Sequence, residues 1–462
     1  MKKLTTLVLA AGLVVSAFAG SASAGEFKPV LQFAEEFTYV DGGKYSDENF
    51  NAATRIRFGF DYVASEDLSA TILFQYRKGS WGHNGDDFTA DPAAHGETPA
   101  FGDHFRMRLA YIDWTIPSTD IKVRMGRQPV VTPSYAFGSP ILDGRGDAVS
   151  VNGAINENIS LGLTWLRTDS ETNGKKYVDD KLVYGDDDAD AVILNAEFAY
   201  DGFKIAPWAA YISVQKNAEL GMSAFYNRDI ATKDGEDASA DAYVLGVSGE
   251  LSMFDPFVFA IDALYSNTKL NNVVSTSEDT FDGFYVGAKA SYKFSNGTAA
   301  FGGWYATGAD ESDRSLKGDD NGFVLLDGGF NASTILFGDN IIGCDSYNTL
   351  TDDSPFGTWG LIAEYAGFSF LENLSHTARV VYVQGTNELV KDDYADRGLD
   401  FKYLTDEDTL VEVDFNSTYQ IYKNFSATLE LGYVFVDQGK LAPMEEEADD
   451  IFRSALTFVY KF

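Results

Sequence analysis

The chain has a single cysteine among 462 residues. Cys344 therefore has no partner for an internal disulfide, and a cysteine-based metal site is excluded. There are only four histidines: His83, His95, His104 and His376. No nucleophile motif surrounds them, and the spacing of the first three fits no common zinc pattern. This argues against an enzyme and calls for neither metal nor cofactor. Basic residues are scarce, 35 against 70 acids, for a formal net charge of −35. Nucleic acid is thereby disfavoured as a partner, because phosphate binding needs clustered positive charge. Beyond residue 24 there is no long uninterrupted apolar run, so a helical membrane protein is excluded. Helical periodicity of useful length is missing as well.

What is abundant is aromatic residues, 14% of the chain, and glycine, 43 residues. Aromatics favour strands and membrane interfaces, and glycine permits tight turns. The last residues are the clearest stretch. Phe462, Tyr460, Phe458 and Leu456 alternate with Lys461, Val459, Thr457 and Ala455. A period of two makes this a β-strand, and an apolar face ending in aromatics suits lipid on one side. Arg55 to Tyr62, Glu412 to Ile421 and Phe425 to Val436 alternate in the same way. Each is long enough for the roughly 9–11 residues of a tilted membrane strand.

At the other end, Met1-Lys2-Lys3 precedes an apolar run and then Ala22-Ser23-Ala24. This predicts a secretory signal peptide over 1–24 with cleavage after Ala24, and a single barrel domain over 25–462. The connections alternate in length. Short ones fall at 65–67, 117–120, 156–158, 201–202, 252–255, 295–297, 371–373 and 422–424. Long ones fall near 41–50, 78–102, 128–146, 169–189, 217–239, 268–280, 307–354, 387–408 and 438–449. Eight short turns between nine long loops predict an all-β fold, a transmembrane antiparallel barrel of about 18 strands, with 16 as the alternative. A soluble β-sandwich would need its apolar faces packed on each other and turns of mixed length.

The faces opposite the apolar sets carry charge. Arg55 and Arg57 lie on the second strand, Gln75 and Arg77 on the third, Arg106 and Arg108 on the fourth, and Lys122 and Arg124 on the fifth. Arg or Lys at the lipid midplane of a barrel costs about 2–4 kcal/mol, so this basic ladder is expected to face a water-filled lumen. Glu412, Asp414 and Glu430 are expected to project inward from strands near the other end. The ladder reads as an electrostatic filter. Tyr62, Tyr76, Tyr265, Tyr433 and Tyr460 are expected in the interface girdles.

Gly126-Arg127-Gln128 ends the fifth strand, and the third long loop follows with Pro133, Gly138 and Pro140. With the leader, the alternation and the terminal Phe462, the chain resembles a Gram-negative outer-membrane porin, most of all the homotrimeric porins of sulfate-reducing bacteria. The resemblance implies a third loop folded into the barrel, where its acids face basic wall residues. By position these are Asp143 and Asp147 against Arg55, Arg57, Arg77, Arg106, Arg108 and Arg124. It also implies a homotrimer, and a terminal strand (Leu456, Phe458, Tyr460, Phe462) read by the barrel-assembly machinery. The function expected is general passive diffusion of small hydrophilic solutes and ions across the outer membrane. A substrate-specific porin and a structural or surface-receptor barrel are the alternatives.

The expected partners are the lipid bilayer and lipopolysaccharide. Acidic runs at 186–188, 319–320 and 445–447 read as solvated loop surface. Divalent ions bridging them to lipopolysaccharide are the alternative reading, since calcium prefers oxygen ligands.

Overall fold

The computed structural model describes residues 25–43, 49–78, 81, 105–170, 176–178, 181–183, 188–214, 239–271, 280–308, 326, 328–338, 341, 350–351, 354–387, 404–437 and 449–462. The residues before Gly25, Cys344, the acidic runs at 319–320 and 445–447, and His83, His95 and His104 lie outside them. Of the run at 186–188, only the backbone of Asp188 is described.

In chain order the strands are β1 (Glu26–Gly43), β2 (Asn49–Ser65), β3 (Leu68–Lys78), β4 (Phe105–Thr115), β5 (Ile121–Val131), β6 (Asp143–Asn156) and β7 (Ile159–Ser170). Then come β8 (Lys176–Val178), β9 (Lys181–Val183), β10 (Asp188–Tyr200), β11 (Phe203–Val214), β12 (Ser239–Leu251), β13 (Phe257–Asn271) and β14 (Thr280–Phe294). The last are β15 (Gly297–Ala306), β16 (Thr358–Phe368), β17 (Leu374–Gly385), β18 (Thr409–Tyr422), β19 (Phe425–Asp437) and β20 (Asp449–Lys461). β8 and β9 form a small separate hairpin inside one long connection, and the other 18 strands form one sheet. Every neighbouring pair in it is antiparallel, and β1 pairs with both β2 and β20, so the sheet closes on itself. Closure removes the free edges that an open sheet would expose. The count settles on 18 rather than 16, and all eight short turns fall where the alternation places them. Among the described residues no helix is long and apolar enough to cross a membrane.

The outer face is apolar and exposed. Phe257, Phe259, Ile261 and Tyr265 alternate on β13, as do Tyr243, Leu245 and Val247 on β12 and Leu161, Leu163 and Trp165 on β7. An exposed apolar belt of this extent is unsuited to water. Near the long connections, three outer tyrosines each donate to an aspartate on the next strand. These are Tyr211 to Asp241 at 2.6 Å, Tyr265 to Asp282 at 2.8 Å and Tyr433 to Asp450 at 2.9 Å. An apolar ring with a polar tip suits the border between hydrocarbon and water.

The terminal strand is the closing strand. Leu456, Phe458 and Tyr460 lie on the outer face of β20, opposite Phe37, Glu35 and Phe33 of β1. Phe462 donates its backbone N–H to Leu31 O at 2.8 Å, fixing the register at the seam.

Two local features bear on the charged faces. Between β3 and β4 the register shifts at Leu73/Phe74, so Leu109 pairs with Leu73 on the inner side while Met107 stays outside beside Phe74. The bulge lets both Arg106 and Arg108 reach inward. The third long connection is also shorter than the 128–146 expected. β5 continues to Val131 and β6 begins at Asp143, paired in register Val131↔Asp143, Pro129↔Arg145 and Arg127↔Asp147. Pro129 is tolerated because β4 pairs with β5 only as far as Arg127, which leaves Pro129 on an edge.

Candidate functional site

The inner faces of β1 to β5 bring most of the basic ladder together, in two distinct parts. Toward the short-turn end, Asp113 of β4 takes a bidentate bond from Arg124 of β5, Nε at 2.7 Å and Nη2 at 2.8 Å. Lys122 adds an ion pair to the same carboxylate at 3.1 Å. The Arg124 guanidinium lies over the Tyr111 ring, 4.2 Å from its centroid. One acid therefore offsets part of this charge.

Further along the ladder Arg57 is held by neutral acceptors. Arg57 Nε donates to Gln75 Oε1 at 2.9 Å, and Arg108 Nη1 donates to the same oxygen at 2.9 Å. Gln32 Oε1 accepts from Arg57 Nη1 at 3.4 Å and from Arg55 Nη2 at 3.5 Å. Arg55 is buried at 7% exposure, whereas Arg106 is exposed. Arg77 lies in β3 in register with Arg55, but its side chain is outside the described set.

The loop acids take positions other than those expected. Asp143 and Asp147 are strand residues of β6. Asp147 shares the outer face with Val149 and Val151, and pairs with Arg127 at 3.8 Å. Below Arg127 and Asp147 the hairpin belongs to the wall. Beyond them, residues 128–131 and 143–146 pair only with each other, because neither β4 nor β7 follows them. Gly126 stands where the ribbon departs, at φ +117°, and a Cβ there would lie 2.2 Å from Ala110 O. Glycine-rich composition suggested loop; small residues at alternate positions (Gly144, Gly146, Ala148, all buried) instead let the hairpin continue and pack.

Residues 133–137 contact the face of β12 to β15 opposite the exposed aromatics. Asp262 of β13 accepts from Ser134 Oγ at 2.7 Å, Tyr135 N at 2.8 Å and Ala136 N at 2.8 Å. Ser248 of β12 donates to Pro133 O at 2.8 Å. Burial and the Glu197 carboxylate push the Tyr135 hydroxyl up to about 12, so it remains a donor at neutral pH. Phe137 packs among Trp304, Phe330 and Lys289.

A second connection, between β15 and β16, meets the first. Asn331 N donates to Phe137 O at 2.6 Å and Gly329 N to Ser139 O at 2.8 Å. Its further side is held by Glu412 and Asp414 of β18. Glu412 Oε1 accepts from Thr334 N at 3.0 Å and Ile335 N at 2.6 Å, and Oε2 accepts from Leu336 N at 2.9 Å. Asp414 accepts from Thr334 N at 3.1 Å and lies 3.7 Å from Arg379. Both carboxylates are buried, Glu412 completely, so they anchor this segment and do not line open space. Glu430 is buried beside Arg453 at 3.8 Å. Strand alternation places these three acids on the inner face, and only the covering segment removes Glu412 and Asp414 from it. Sequence alone placed Gln75 on the inner face without a role and passed over Asp262, Asp113 and Gln32. Asp113 and Gln75 do alternate with apolar residues on their strands, which was the available signal.

No protein-family model matches the chain, and no curated protein does. Solved structures do. OccK11 (OpdR) of Pseudomonas aeruginosa superposes with TM-score 0.53 at 11% identity, over 94% of this chain and 96% of that one. OccAB3 of Acinetobacter baumannii gives TM-score 0.53 at 13% identity, over 94% and 99%. The outer membrane protein OprD of Pseudomonas aeruginosa gives 0.52 at 11%, over 95% and 94%. The fold is thus of the outer-membrane porin class, a closed antiparallel barrel of 18 strands.

Proposed function

We propose that this chain is an outer-membrane channel of a Gram-negative bacterium through which small hydrophilic solutes diffuse passively, with a bias toward anions. The gathering of Arg55, Arg57 and Arg108 on the inner face of β2 and β4, with Arg57 bonded to the amide oxygens of Gln75 and Gln32, carries this reading. In it, the 132–142 connection folds inward and narrows the pore between itself and the basic faces of β2 to β4. The hydrogen bonds of Ser134, Tyr135 and Ala136 to Asp262 support that placement. No covalent step or energy source enters: solutes follow their gradients, and selection comes from width and wall charge. The anion bias follows from local charge rather than the acidic total, because a narrow, low-dielectric-walled passage focuses the field of its nearest groups.

Residues 1–24 serve as the export signal, removed after Ala24. The alternating Leu456, Phe458, Tyr460 and Phe462 present the closing strand to the assembly machinery. The barrel assembles as a homotrimer in contact with lipid and lipopolysaccharide. The deciding experiment is single-channel recording of purified protein in a planar bilayer under a salt gradient. Stable steps with a reversal potential on the anion side are expected. Folded protein that never conducts would overturn the channel reading.

A second reading, a channel restricted to particular solutes, draws on one observation. The 329–337 segment links the 137–139 backbone to Glu412 on the far wall. A lumen bridged in this way is narrower than its strand number alone implies. Liposome swelling with neutral sugars of graded size separates the two readings: a gradual decline favours general diffusion, and a sharp cut-off favours restriction.

A further inference from the structure

We propose that Gln75 is a selectivity-determining residue of this channel, joining Arg57 to Arg108 across strands while leaving the charge of Arg57 uncancelled. The proposal rests on the diffusion-channel reading above. Gln75 sits on β3 between β2 and β4, nearly buried at 6% exposure. Its Oε1 accepts from Arg57 Nε and Arg108 Nη1, both at 2.9 Å, one donor from each neighbouring strand. Gln32, on β1 at the other side of β2, is a second amide acceptor, taking Arg57 and Arg55 of β2 at 3.4 and 3.5 Å.

The chemical identity of the acceptor is what matters. Elsewhere in the same barrel, cross-strand arginines are held by carboxylates: Arg124 by Asp113, Arg167 by Asp190 and Arg379 by Glu364. A carboxylate orients a guanidinium and offsets its charge. An amide oxygen orients it and carries no net charge. Arg57 makes no ion pair among the described residues, and its two hydrogen bonds both end on amide oxygens. A guanidinium has five N–H donors, so Arg57 retains donors beyond those two bonds. With Arg55 on Gln32 and Arg108 on Gln75, Arg57 belongs to a fixed positive group on the inner face of β2 and β4. Its fit is to small oxyanions, which accept from more than one guanidinium at once.

The amide-to-acid exchange Gln75→Glu tests this with almost no change of shape. Full-length wild type, Gln75→Glu, Gln32→Glu and Arg57→Gln are compared in planar bilayers under a KCl gradient, after heat-modifiable gel mobility has shown each to be folded. The expected result is a fall of about sevenfold in chloride-over-potassium permeability for Gln75→Glu, since one unit charge at roughly 7 Å in water disfavours chloride and favours potassium by about threefold each. Arg57→Gln is expected to shift in the same direction. If Gln75→Glu keeps the wild-type reversal potential while Arg57→Gln shifts it, Gln75 is overturned as the determinant and the channel reading stands. If neither shifts, the arginine group is not the selector and the proposal falls. Should Gln75→Glu not fold, Gln32→Glu carries the same test on the second amide. Folded wild type that does not conduct overturns the inference together with the reading beneath it.

Discussion

Asp262 and Ser134 stand 128 positions apart in sequence and meet at 2.7 Å, the serine Oγ donating to the aspartate Oδ2. The same carboxylate takes the backbone N–H groups of Tyr135 and Ala136, so one inner-wall side chain fixes three consecutive residues of the third long connection. Asp262→Ala strands two backbone donors at a buried site. Hydrogen bonds to a charged acceptor contribute about 1.5–3 kcal/mol each, so the loss exceeds what the connection's remaining contacts easily offset. We expect the barrel to persist while the 132–142 connection loosens. Limited proteolysis should cut there in the variant and not in wild type, and open-channel current noise should rise. An unchanged digestion pattern would show that the aromatic packing of Phe137 suffices alone.

How much of this was legible in the sequence follows from what alternation encodes. A period of two assigns a residue to a face. It does not say what lies across that face. Glu412 and Asp414 read as lumen acids because nothing in β18 reveals that residues 334–336, brought from another connection, will cover them. Asp143 and Asp147 read as loop acids because Gly144, Gly146 and Pro129 resemble turn chemistry. Hairpin pairing overrode that local signal, and once Asp147 is on a strand, parity sends it outward to Arg127. Leu109 joins the inner side through a single bulge, a feature invisible without the partner strand.

The neutralised part of the ladder offers a converse experiment to the amide exchange. Asp113 serves both Arg124, at 2.7 Å, and Lys122, at 3.1 Å. Asp113→Asn removes a negative charge from the wall and retains an oxygen acceptor. Local charge becomes one unit more positive, so chloride-over-potassium permeability is expected to rise. Charge focusing at the narrowest point makes the rise smaller than the fall produced at Gln75. Reversal potentials in the same salt gradient measure both. A rise at Asp113 larger than the effect at Gln75 would move the selective zone toward the short-turn end.

Glu412 gives a prediction about stability. Its carboxylate closes three backbone donors of 334–336 while fully buried. Glu412→Gln keeps one acceptor oxygen but turns an amide N–H₂ toward backbone N–H groups, donor against donor. A cost of about 2–3 kcal/mol is expected, borne by the β15–β16 segment. Conductance should increase as that segment withdraws from the 137–139 backbone. Glu412→Ala should reproduce the increase with greater loss of thermal stability, followed by the temperature at which the folded gel band disappears. If conductance stays constant in both variants, the segment does not border the path of solutes.

The last test concerns the point where the β5–β6 ribbon leaves the wall. Gly126 holds φ at +117°, a region that residues with a Cβ rarely adopt, and a Cβ would come within 2.2 Å of Ala110 O. Both the torsion and the clash must relax together, and the available movement separates β5 from β4 just where their pairing ends at Ala110↔Arg127. Gly126→Ala is therefore expected to cost about 1–3 kcal/mol of local strain, and Gly126→Val more, because a β-branched side chain adds bulk at the same carbonyl. The strain acts on the angle at which the ribbon departs, so Arg145 moves relative to Arg57. Gly126→Ala should change single-channel conductance without altering the gel signature of the folded barrel, while Gly126→Val should lower folding yield. Wild-type conductance in folded Gly126→Ala would mean that the ribbon's direction is set by its packing on the inner wall and not by the bend at its root.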